Sequence, residues 1–243
     1  MILTRTLTVS ACLLTLLTAT TSSAHDMWLE KTNNMVKLKY GHPGHSDPYP
    51  IQRITAINGY TDIKWKVILT PLPEDGEAFC YVTDHYPLIT VAFDNWYWYH
   101  SEEEGWQQFQ TPQKDFKGTI LEEGASYKLS KEIVYWKPFL AQPIGQRAEI
   151  VPLKDPTTLK EGDMLPVQLY FEGELMPVED SRTSLTSNPS VEHPELVFRS
   201  NQEPVMVKVG PPGRQIVIGK YAKPLEGVKK VWFAFSLTFT TTE

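Results

Sequence analysis

His25, His42 and His45 are the residues of this chain whose type and spacing could do chemistry. Neutral imidazole is a common ligand for zinc, nickel and copper, so the question is which of the six histidines can meet. His25 stands directly after Ser22-Ser23-Ala24, the small residues that close a signal-like N-terminus. Cleavage after Ala24 makes His25 the first residue of the working chain, and its free α-amine and ring Nδ1 can then close a chelate on one ion. His42 and His45 lie three apart in Gly41-His42-Pro43-Gly44-His45, where two glycines and a proline enforce a tight turn. The plainer reading makes His42 and His45 turn residues bonded to backbone, with His25 a bystander of the cleavage site. His85 beside Asp84, His100 beside the acidic Glu102 to Glu104, and His193 before Pro194 are secondary candidates.

Other chemistries find little support. There is no His-Glu-x-x-His, no Gly-x-Ser-x-Gly and no glycine-rich phosphate loop, and the chain is read as non-enzymatic. Cys12 leaves with the signal, which makes Cys80 the only cysteine of the mature chain; it reads as a small buried hydrophobe. Losing Arg5 takes the formal charge from −6 to −7, and the basic residues are scattered, which gives no footprint for nucleic acid. The run Trp96 to Tyr99 reads as core packing, with a sugar-stacking platform as the alternative.

The elements that must position these residues read as strands. A basic start ending at Arg5 and an apolar run too short to span a bilayer mark residues 1–24 as a cleaved signal peptide. No other apolar run of membrane length exists, so the mature chain is expected to carry no membrane-spanning segment. Met35 to Tyr40 alternates apolar and polar with period 2 and delivers the chain into the histidine turn. Short strands are expected at Ile51 to Ile57, Ile63 to Leu69, Ala78 to Val82, Leu88 to Phe93 and Lys131 to Trp136, each bounded by turn residues. After a Pro- and Gly-bearing linker from Lys137 to Gly145, strands resume through Met164 to Glu172, Val205 to Val209 and Val231 to Phe239. Met176 to His193 is polar and reads as a loop. No stretch of the mature chain keeps helical periodicity. The expectation is an all-β protein of two β-sandwich domains, 25–145 and 146–243.

Four stretches carry a family resemblance: Ala24-His25-Asp26-Met27-Trp28-Leu29-Glu30, Leu38-Lys39-Tyr40-Gly41-His42, the run from Ala148 through Asp163 to Val167, and Phe235 to Phe239. With these the chain resembles the exported DUF4198 family, whose members are often labelled the periplasmic component of cobalt or nickel uptake systems. The resemblance implies an N-terminal β domain followed by an immunoglobulin- or transthyretin-like sandwich. It further implies a periplasmic protein that binds Ni²⁺ or Co²⁺ through His25, His42 and, with less of the motif behind it, His45, for delivery to an inner-membrane metal transporter. Copper would outcompete nickel on affinity alone, so Cu²⁺ also stands as a candidate ion. Two rival readings remain: a copper-dependent oxidative enzyme built on the N-terminal histidine, and a metal-free carbohydrate or adhesion module.

Overall fold

The structure is a computed structural model that describes residues 25–42, 44–176 and 204–243, together with the backbone of two strands at 181–186 and 195–197. The expected signal segment 1–24 and His193 lie outside the described residues. The protein is all-β, as the sequence implies, and its described strands form three sheets. Among the described residues no helix is long and apolar enough to cross a membrane.

A five-stranded sheet holds β1 (Asp26–Thr32), β2 (Met35–His42), β3 (His45–Ser46), β6 (Leu72–Glu74) and β7 (Glu77–Tyr81), in the order β1-β2-β7-β6 with β3 paired to β2. A nine-stranded sheet follows the order β15 (Glu195–Val197), β14 (Ser181–Thr186), β17 (Gly213–Pro224), β18 (Lys229–Thr241), β10 (Ile120–Ile133), β8 (Leu88–Ser101), β4 (Ile54–Tyr60), β5 (Lys66–Ile68), with β9 (Gly105–Phe109) on β8. A four-stranded sheet holds β11 (Ala148–Pro152), β12 (Met164–Phe171), β13 (Glu174–Leu175) and β16 (Val205–Lys208). The pairings are antiparallel except β10 with β18, which run parallel. That pairing draws the nine-stranded sheet from both sides of position 145, which falls in the connection between β10 and β11.

The large sheet is the middle layer, with buried apolar side chains on both of its faces. On one face Ile57, Ile89, Val91 and Phe93 pack against Met27, Leu29, Val36, Leu38 and Cys80 of the five-stranded sheet. On the other, Leu129, Phe233, Phe235, Leu237 and Phe239 pack against Ile150, Leu165, Val167, Leu169 and Val207 of the four-stranded sheet. Gly219 has no side chain because a Cβ there would stand 2.4 Å from the Phe235 ring. Cys80 is fully buried, and burial pushes its thiol up to about 11, so it packs as a hydrophobe.

Several expected strands shift. Leu88 to Phe93 and the aromatic run after it are one continuous strand, β8, which bulges opposite β10 between Asp94 and Tyr97. Trp96, at φ 63°, is the residue the bulge absorbs, and its ring lies 3.9 Å from the Arg53 guanidinium. The expected strand at Lys131 is the end of the longer β10, and the stretch 176–193 read as a loop carries β14.

Candidate functional site

The site is assembled at the head of β1. β1 pairs with β2 along its whole length, from Asp26 opposite Gly41 to Thr32 opposite Met35. Among the described residues its other edge has no strand beside it. An unpaired edge leaves a row of backbone acceptors that must be answered. Here side chains of the large sheet answer every second carbonyl of β1. Lys128 Nζ donates to the His25 carbonyl, and Ser236 Oγ donates to Met27 O at 2.6 Å. Arg214 donates through Nη1 to Leu29 O at 2.7 Å and through Nη2 to Lys31 O at 3.0 Å.

This row explains why one face of β10 and β18 is polar although it is buried: Lys128, Ser130, Glu132, Ser236 and Thr238 are all inside. They satisfy one another as well as β1. Ser130 and Ser236 share a hydrogen bond of 2.7 Å, Thr238 donates to Glu132, and Arg214 lies 3.5 Å from the same carboxylate. Burial pushes the Glu132 carboxyl up to about 7, and Arg214 and Thr238 pull against it. Burial likewise brings Lys128 down to about 8, with Asp26 opposing.

At the top of the row the backbone of His25 is fixed and its ring is set against three neighbours. It stacks on Tyr40 at 5.0 Å with the planes 6° apart, and on His42 at 4.9 Å. Its Nε2 contacts Asp47 Oδ2 at 2.9 Å, while His45 Nε2 contacts Asp47 Oδ1 at 3.2 Å. Asp47 therefore bridges two imidazoles. The turn makes this arrangement through β2 and β3, which place His42 directly opposite His45. Gly41 is the residue that permits the fold-back: at φ 142°, a Cβ would meet His45 O at 2.5 Å and Asp47 Oδ2 at 3.1 Å. Asp47 N–H then donates to Tyr40 O at 2.7 Å.

Tyr40 is the floor of the cluster. Its hydroxyl donates to Asn95 Oδ1 at 3.0 Å, and its ring stacks on Phe93 and meets Tyr49 edge-on. Arg53 and Lys128 each lie 5.6 Å from the ring centroid, cations against a π face. Partial burial holds the His25 imidazole below its ordinary value; nearby His42 adds to that, and the Asp47 carboxylate works against it.

The structure thus brings His25, His42 and His45 together, with Asp47 joining them. As they stand, the rings of His25 and His42 are nearly parallel and Asp47 occupies Nε2 of two histidines. Among the described residues no three His, Cys, Asp or Glu side chains are arranged to hold a metal ion. The other histidines are elsewhere: His85 is exposed, and His100 stacks on Trp106 at 4.5 Å. Asp47, two residues beyond His45 and next to Pro48, is the member of the cluster that its place in the sequence does not single out. Nor does the sequence single out Lys128, since its role depends on a strand 103 residues away.

Fold and cluster together define an all-β protein of stacked sheets with a histidine–carboxylate cluster at the head of its first described strand. Residues 22–214 match the family described as Domain of unknown function (DUF4198), and the chain belongs to that family. No curated protein matches it.

Proposed function

We propose that this is an exported, non-enzymatic metal-binding protein that takes one divalent ion, Ni²⁺ or Co²⁺, at the cluster of His25, His42, His45 and Asp47. In this reading it works in the periplasm and hands the ion to a transporter of the inner membrane. The observation that carries it is the gathering of three imidazoles and one carboxylate around the residue that signal cleavage would leave first. Imidazole, amine and carboxylate form a donor set suited to late first-row ions. A half-buried histidine held below its ordinary value is neutral at pH 7, the state in which it can ligate. His25, His42, His45 and Asp47 would hold the ion, with Asp47 already in contact with two of the imidazoles. Lys128 and Tyr40 keep the His25 backbone and ring where the ion is to be met.

Titration calorimetry with Ni²⁺, Co²⁺ and Cu²⁺ on protein exported through its own signal tests this reading. His25→Ala, and separately one extra residue ahead of His25, are expected to weaken binding at least tenfold. Unchanged affinity in both variants would remove the chelate. Copper-dependent turnover of a reductant with oxygen would favour the enzyme over the carrier.

A further inference from the structure

The four-stranded sheet is narrower than the nine-stranded sheet it covers, and beyond its edge the face made by β4, β8, β10 and β18 is left open. A cavity of about 350 Å³ lies there, closed on one side by residues 145–147. That volume falls at the lower end of the range for small-molecule sites. Its base is apolar and aromatic, formed by Leu129, Tyr127 and Phe233.

The wall is fixed in place. Gln146 Nε2 donates to Val91 O at 3.2 Å and Ser130 O at 3.3 Å, which pins the loop to the sheet beneath it. Glu149, buried and paired with Lys131, accepts the N–H groups of Ile144 and Gly145. The Arg147 guanidinium lies over the aromatic base, 4.9 Å from the Phe233 centroid and 5.5 Å from that of Tyr127, with Glu172 at 3.3 Å.

Two polar groups lining the cavity have no such answer among the described residues. The half-buried side-chain amide of Asn58 makes no hydrogen bond and the exposed ammonium of Lys66 has no ion pair, so both are free to meet a ligand entering from solvent. Because Glu172 already answers Arg147, the uncompensated charge at the cavity is the single one of Lys66.

We infer that this cavity binds a small monocarboxylate with an apolar or aromatic body. Lys66 and the Asn58 amide N–H groups take the carboxylate, and the body lies on Tyr127 and Phe233 beside Arg147. The site is separate from the histidine cluster and stands without it. Glu132 and Lys128 face the opposite side of the sheet.

Ligand-observed NMR on the full exported chain, with benzoate and hexanoate as probes and benzyl alcohol as the uncharged control, tests the inference. Both acids are expected to bind, benzyl alcohol at least tenfold more weakly, and Lys66→Ala and Asn58→Leu each to weaken benzoate at least tenfold. His25→Ala is expected to leave benzoate binding unchanged, so the metal reading and this one fail independently. Equal binding of benzoate and benzyl alcohol, no loss in Lys66→Ala, or no binding of either acid at millimolar concentration would overturn it. Tighter binding of phenyl phosphate than of benzoate would overturn the carboxylate assignment.

Discussion

Gly41 decides whether the three histidines can meet. Only a residue without a Cβ lets the chain turn from β2 into β3 so closely that Asp47 comes back to His25. Gly41→Ala should therefore cost about 1–3 kcal/mol of stability, from left-handed backbone strain and a contact that must open. Urea denaturation reads the cost, and the same variant should bind added Ni²⁺ more weakly because His45 and Asp47 are displaced. A variant with native stability and native affinity would show that the fold-back is not what positions the cluster. The histidines themselves were legible in the sequence from type and spacing. Asp47 was not, because a carboxylate in a polar loop is unremarkable until the turn places it between two rings.

At the scale of elements, β1 is held by side chains where a neighbouring strand would ordinarily be. Of the residues doing this, Glu132 makes no bond to β1 itself but receives Thr238 and faces Arg214. Its folded-state carboxyl is raised from 4.5 to about 7, so the folded protein binds more protons than the unfolded chain between those values. Stability is consequently lost as pH rises from 4.5 through 7. Glu132→Gln keeps a partner for Thr238 without the ionisation. It should leave stability unchanged at pH 4 and raise it at pH 8 by up to roughly 3 kcal/mol, read by urea denaturation at both pH values. An equal effect at the two pH values would contradict this origin. The same chemistry hid β10 from the sequence. A strand whose buried face is Lys128, Ser130 and Glu132 does not show the apolar alternation that revealed β2, so only its end was expected.

For the molecule as a whole, the all-β class followed from short period-2 runs and frequent turn residues. The order of strands did not. The parallel pairing of β10 with β18 joins segments more than a hundred residues apart, and no local pattern encodes that choice. The pairing places the polar face of β10 and β18 beneath β1, and the row of hydrogen bonds it supplies ends at His25. It also leaves the opposite face of the same sheet partly open, where the cavity beside Arg147 lies. The central claim is that this architecture presents His25 as the first residue of a metal-binding cluster. Native mass spectrometry of the protein exported through its own signal and supplied with Ni²⁺ or Co²⁺ tests it most directly. The account predicts a mass that begins at His25 and retains one ion per chain. A chain that begins elsewhere, or one beginning at His25 that retains no ion, would contradict it.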